Sequence, residues 1–253
     1  MWPSRAFALA VAVGAAVVAL RRPGASTVEE EYADAASSFD VRWSEYISVT
    51  VDAMLAQLGP ALDALPCAAA SCKLLDVGCG TGALAHRIAR RHPRWEVTCS
   101  DLSAEMLRGA AAKGLAVVRA RSEALPFDAG AFDVVTSLSS FHFWDEPAVG
   151  LRELHRVLRP DGALLISDWS HDFISCKICG LYLWAAGFPS NDWNIYSSAR
   201  MRDLLRAAEF SVAEESIYQI ELRPFGMRAC PRWGMMSFSA TRAERGGANS
   251  TQA

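Results

Sequence analysis

The sequence predicts one α/β domain of the Rossmann-like, doubly wound kind: a mostly parallel sheet with helices on both faces, N-terminal capping helices and an antiparallel C-terminal edge strand. Three observations carry that expectation. Short apolar runs alternate with amphipathic stretches from residue 73 to residue 168, which is the signature of parallel strands joined by right-handed crossovers. The first apolar run ends in a glycine-rich turn. The final two strand-like runs have no helix between them, so they should pair antiparallel at one side of the sheet.

In chain order, residues 28–65 read as helix, because Phe39, Trp43, Tyr46, Ile47, Val51, Met54 and Leu55 recur at helical spacing, with Pro60 and Pro66 closing the run. Strands are expected at 73–77, 96–99, 116–119, 132–137 and 162–168, and helices between them at 83–91, 104–113 and 146–158. Residues 169–197 are aromatic, interrupted by Gly180, Gly187 and Pro189, and long for a connection in such a domain, so they are expected to wall or cover the substrate. A helix at 198–208 and strands at 211–220 and 233–242 follow, and a disordered tail is expected over 243–253.

A chain of 253 residues, 51% of them hydrophobic, suffices for one large domain at 27–242 and not for two. A net charge of -3 gives no basic footprint, so nucleic acid is excluded as a partner class. Residues 1–26 form an apolar leader. The run 6–20 lies between Arg5 and the pair Arg21 and Arg22, and at about 1.5 Å per helical residue it falls short of a hydrocarbon core of roughly 30 Å. It reads either as a signal anchor giving membrane association or as an import leader, since no acid precedes Glu29. The seven cysteines are odd in number and unevenly spaced, which points to free thiols in a reducing compartment. Cys176 and Cys179 have C-x-x-C spacing but no second ligand pair, so no metal is expected.

The chemistry is concentrated in Leu74-Leu-Asp-Val-Gly-Cys-Gly-Thr-Gly-Ala83, a strand running through a glycine turn into a helix. Gly78 and Gly80 allow backbone to approach a ligand, and the helix beginning near Gly82 offers free N–H groups to an anionic moiety. Dinucleotide sites use the same device, so a nicotinamide-dependent oxidoreductase remains an alternative on this turn alone. Asp101, ending the second strand, is placed to accept both hydroxyls of a ribose.

This run resembles motif I of the class I S-adenosylmethionine-dependent methyltransferases, and Cys99-Ser-Asp-Leu-Ser-Ala-Glu-Met-Leu107 resembles their second signature. Ser122-Glu-Ala-Leu-Pro-Phe127, Phe132-Asp-Val-Val135 and Leu151-Arg-Glu-Leu-His-Arg-Val-Leu-Arg-Pro-Asp-Gly162 are similar to the type 11 subgroup, which includes the ubiquinone and menaquinone methyltransferases. The likeness spans residues 32–168. It implies S-adenosylmethionine as cofactor, with Asp76 and the backbone of Gly78, Cys79, Gly80 and Gly82 on the methionine moiety. It further implies Asp101 on the ribose, Leu102 and Met106 on the adenine faces, and Ser122 and Glu123 beside the adenine edge. Tyr32 and Phe39 resemble the aromatics that close over the cofactor. Arg121 stands where the subgroup usually carries an Asp, and a guanidinium cannot accept from the adenine amino group.

Methyl transfer from a sulfonium needs in-line alignment of a nucleophile and exclusion of water, with a base only where the nucleophile carries a proton. His142 is the candidate base or substrate orienter, because it follows the fourth strand at the carboxyl edge where open α/β sheets bind ligands. Asp168 and His171 occupy the same edge. The expected partner is a small, apolar molecule; a non-catalytic scaffold with the same fold is the alternative.

Overall fold

The computed structural model describes residues 36, 38–41, 43–177, 195–221 and 232–243. The apolar leader, Tyr32, Cys179, Cys230, most of the expected substrate cover and the C-terminal tail lie outside the described residues. After a short helical stretch at 38–41, the elements are α1 (Ser44–Asp63), β1 (Lys73–Val77), α2 (Ala83–Arg91), β2 (Glu96–Asp101), α3 (Ala104–Ala112), β3 (Ala116–Arg119) and β4 (Phe132–Leu138). There follow α4 (Pro147–Val157), β5 (Leu158–Trp169), α5 (Ser198–Ala207), β6 (Phe210–Glu221) and β7 (Arg232–Arg242).

The strands form one seven-stranded sheet in the order β3-β2-β1-β4-β5-β7-β6. β3, β2, β1, β4 and β5 pair in parallel, and β7 is antiparallel to both β5 and β6. The two C-terminal strands pair antiparallel as expected, with β7 slotted between β5 and β6. β1 is buried along its last four residues, as a strand covered by helices on both faces must be. One apolar layer joins β1, β4, α4, α5 and β7 through Leu75, Val135, Leu154, Leu205 and Phe238. The opposite layer packs α1 and α2 on the sheet through Met54, Leu58, Leu74, Ile88 and Cys99.

Three details depart from the sequence expectation. Pro60 sits inside α1, which continues to Asp63: a proline near a helix end frees one carbonyl of the preceding turn, and that carbonyl need not terminate the helix. β5 begins at Leu158, directly after α4, and takes in Gly162, where a Cβ would stand 2.8 Å from the Asp133 carbonyl oxygen. Cys67 and Cys72 are joined in a disulfide, against the expectation of free thiols; the turn after α1 brings their Cα atoms to 5.2 Å, within bridging reach. Among the described residues no helix is long and apolar enough to cross a membrane, and no cluster of metal-ligating side chains occurs.

Candidate functional site

The turn after β1 is built around three glycines with positive φ, Gly78 at 66°, Gly80 at 55° and Gly82 at 77°, a backbone that side chains with a Cβ adopt only under strain. Their surroundings differ. A Cβ at Gly78 would lie 1.7 Å from the Ser140 Oγ, and one at Gly82 would lie 2.6 Å from Leu115. A Cβ at Gly80 would meet nothing within 4 Å, so the turn presents bare backbone to open space there.

Neighbouring β2 holds the turn in place. The N–H groups of Gly78 and Cys79 donate to the Ser100 carbonyl at 2.8 and 3.1 Å. Asp101 accepts from the Gly80 N–H at 2.8 Å with one oxygen and from the Ser103 N–H at 2.9 Å with the other. Its carboxylate is partly exposed at the mouth, yet burial pushes its pKa up against those backbone hydrogen bonds. It also accepts from the Leu102 N–H, so of a carboxylate's roughly four lone-pair positions about one remains for a ligand.

Asp76 lies beneath the turn instead of at its mouth. It is 1% exposed, accepts from the Thr136 hydroxyl at 2.7 Å and from the Ala85 N–H in the first turn of α2, and burial raises its pKa to about 7. Register explains the Thr136 contact, because Asp76 and Thr136 face each other across β1 and β4. The Cys79 thiol hydrogen-bonds Cys99, and that contact with burial pushes its pKa well up. On the outer side, Asp40 takes the Thr81 hydroxyl at 2.5 Å and the Lys113 ammonium at 2.7 Å, so the helical stretch at 38–41 is tied to the turn.

The residues expected beside an adenine edge are ordered by a second knot. Arg156 in α4 donates to the carbonyls of Leu125 and Phe127 at 2.9 and 2.7 Å and pairs with Glu153, which accepts from the Leu125 N–H at 3.0 Å. The Leu-Pro-Phe loop and the Arg-Val-Leu run therefore belong to one structure. Ser122 is buried, Glu123 accepts from the Glu146 N–H at 3.1 Å, and Arg121 pairs with Asp145 and, at 3.8 Å, with Glu123. Leu102 is partly exposed beside Asp101, whereas Met106 is 2% exposed within α3 and shows no surface at the mouth.

Across the carboxyl edge, His142 and Asp168 are each 2% exposed and joined Nδ1 to Oδ1 at 2.7 Å. The His142 ring stacks on Trp169 at 4.6 Å, and Trp169 donates its indole N–H to the Tyr46 hydroxyl, which donates to Ser139. His171 is exposed; its backbone N–H donates to the Tyr196 carbonyl. Phe39 is half-buried against Trp43, 6.4 Å between ring centres. Cys176 is buried, with its thiol directed to the Gly234 carbonyl. Sequence reasoning did not find Thr136, Ser140, Asp40 or Lys113. Only Thr136, a polar residue on an inward strand position, left a signal.

With this geometry in view, residues 75–166 match the family model described as a methyltransferase domain, type 11. This stretch is a type 11 methyltransferase domain. The chain is similar to malonyl-[acyl-carrier protein] O-methyltransferase of Herminiimonas arsenicoxydans, 43% identical over 117 residues, which are 46% of this chain and 42% of that protein. It is similar also to demethylmenaquinone methyltransferase of Thermus thermophilus, 40% identical over 103 residues, 38% of this chain and 47% of the relative. The chain thus spans about half the length of these curated relatives. In fold, it resembles an S-adenosylmethionine-dependent methyltransferase of Thermotoga maritima, described as a possible histamine N-methyltransferase, with a TM-score of 0.64 at 18% identity, over 83% of this chain and 98% of that one.

The methyltransferase domain implies S-adenosylmethionine as cofactor, and the residues present fit it. Gly80 leaves bare backbone facing open space, α2 begins immediately beyond, and Asp101 retains acceptor capacity at the adjacent strand end. The nicotinamide alternative falls with the family match.

Proposed function

We propose that the chain transfers a methyl group from S-adenosylmethionine to a small lipophilic or aromatic molecule. The observation that carries this is the open backbone at Gly80, clamped by Asp101 at the carboxyl edge of a type 11 domain. When bound, the donor supplies a methyl carbon already made electrophilic by its sulfonium.

The chain's own work is binding and alignment. The start of α2 offers N–H groups and the positive helix end to the methionine carboxylate, and the open backbone at Gly80 lets the donor approach; the N–H groups of Gly78, Cys79, Gly80 and Gly82 are themselves spent on Ser100, Asp101 and Cys79. Asp101 takes a ribose hydroxyl with its remaining lone pair, and Leu102 lies against the adenine. Asp76 acts from below, holding the turn through Thr136 and Ala85. Ser122 and Glu123 order the adenine edge without help from Arg121, whose charge is taken up by Asp145. His142 stands on the acceptor side, and the rings of Phe143, Trp169 and Tyr196 exclude water there.

An apolar acceptor accords with those rings and with the aromatic composition of 169–197, and the apolar leader would bring the domain to a membrane where such acceptors dissolve. The test is incubation of purified protein with radiolabelled donor and a lipid extract of its source cells. Label in a phenol or quinone supports the reading; label confined to water-soluble products overturns the choice of acceptor. Calorimetric titration showing no donor binding overturns catalysis and leaves a scaffold. Retention in the carbonate-washed pellet, lost on deletion of residues 1–23, tests the membrane association.

A further inference from the structure

Resting on that reading, one buried pair at the acceptor side defines the acceptor more narrowly. Asp168, at the end of β5, engages His142 twice: one oxygen meets Nδ1 at 2.7 Å and the other accepts the His142 backbone N–H at 3.2 Å. The first oxygen also accepts the Trp169 N–H at 2.6 Å, so three contacts fix the carboxylate. An ionised carboxylate facing Nδ1 favours, in the neutral ring, the tautomer with its proton on Nδ1 and its lone pair on Nε2. Nε2 is buried and has no hydrogen-bond partner among the described residues, which is uncommon for a buried polar atom and marks a site for a ligand group or a reaction.

The ring is held as firmly as the carboxylate, stacked on Trp169 at 4.6 Å and set against Phe143 at 4.0 Å. Two phenols lie nearby. Burial pushes the phenols of Tyr46, from α1, and Tyr196 above their usual range, and Cys176 faces Tyr46. Asp168 is the carboxylate that meets the His142 ring, through Nδ1 at 2.7 Å.

We infer that Asp168 is a positioning residue that presents the His142 Nε2 as general base, and that the acceptor is a hydroxyl on an apolar ring and not a carboxylate. The acceptor's proton passes to Nε2. The electron pair left on its oxygen forms the new bond to the methyl carbon, the S–CH3 bond breaks with its pair remaining on sulfur, and the imidazolium later returns the proton to solvent. A carboxylate acceptor is already ionised at neutral pH and gains nothing from a base. It would also bring a second negative charge against the buried Asp168.

Two measurements on the full-length protein test this. Nitrogen NMR of labelled histidine at pH 8 should show His142 with a protonated Nδ1 and an unprotonated Nε2; the opposite tautomer, or a doubly protonated ring, overturns the assignment whatever the acceptor. Next, protein shown by calorimetry to bind donor is given labelled donor with 2-naphthol or with malonyl-acyl carrier protein. Label in the naphthyl methyl ether alone is expected, and Asp168→Asn should lower kcat about a thousandfold with KM within about threefold. In that variant the Nδ1 proton loses its acceptor, so nitrogen NMR should show the proton no longer held on Nδ1. An unchanged tautomer reduces Asp168 to packing. Label in the malonyl protein alone, or in neither acceptor, overturns the hydroxyl assignment while donor binding still stands; absent donor binding fails the broader reading instead.

Discussion

Replacing Asp101 by Asn perturbs the junction of fold and donor site. The carboxylate serves the Gly80 N–H at 2.8 Å and the Ser103 N–H at 2.9 Å, one through each oxygen. An amide is isosteric but carries one oxygen and one NH2, so one backbone donor must face another donor. Hydrogen bonds to a charged group contribute about 1.5–3 kcal/mol each, and the orphaned N–H adds a desolvation cost of similar size. If a third of that falls on stability, at about 2–4 °C per kcal/mol in a domain of this length, the melting temperature should drop by a few degrees. Donor affinity carries the remainder and the lost ribose contact, about 3 kcal/mol, which is roughly 150-fold in Kd. Titration calorimetry with S-adenosylmethionine on folded Asp101→Asn protein reads this directly. A Kd within twofold of the parent would refute the role given to the carboxylate and to the turn it clamps.

The glycines of the turn should separate stability from binding. Gly78→Ala meets Ser140 as well as an unfavourable φ and should cost about 3 kcal/mol or more, while Gly80→Ala meets only the φ and should cost about 1–2 kcal/mol yet abolish donor binding. Paired melts and titrations check both. A carboxyl raised to about 7, as at Asp76, binds its proton more readily folded than unfolded. It therefore contributes stability that is fully present below about pH 4 and is lost as pH rises toward 7, about 4 kcal/mol at most. Denaturant melts across that range should slope in the parent and flatten in Asp76→Asn. Asp40→Ala removes the acceptor of both Thr81 and Lys113, so limited proteolysis should cut between residues 36 and 43 several-fold faster, and unchanged cleavage would argue against the tie.

The parts legible from sequence were those with short-range causes. Helical and strand periods, the glycine turn and the acid one unit later each depend on residues close in the chain, and the parallel order follows from crossover handedness. What escaped depends on register or long closure. Thr136 meets Asp76 only because β1 and β4 align at that pair, and Asp40 reaches Thr81 and Lys113 across tens of residues that no local pattern connects. The sixth and seventh strands were readable as an antiparallel pair, but the slot that β7 fills depends on which edge of β5 is free. The Cys67 to Cys72 bridge escaped for a simpler reason: neither spacing nor composition distinguishes a closed turn from an open one.

Strand β7 is synthesised after β6 yet lies inside it, hydrogen-bonded to β5 along seven residue pairs from Ala163 to Trp169. Until residues 232–242 leave the ribosome, the flank of β5 therefore stays unpaired, with Leu164, Leu165 and Ile166 beside it, all buried in the finished protein. A nascent chain in that state offers a bare apolar ledge to any passing strand, and the interval before β7 inserts is when this protein should most need a chaperone.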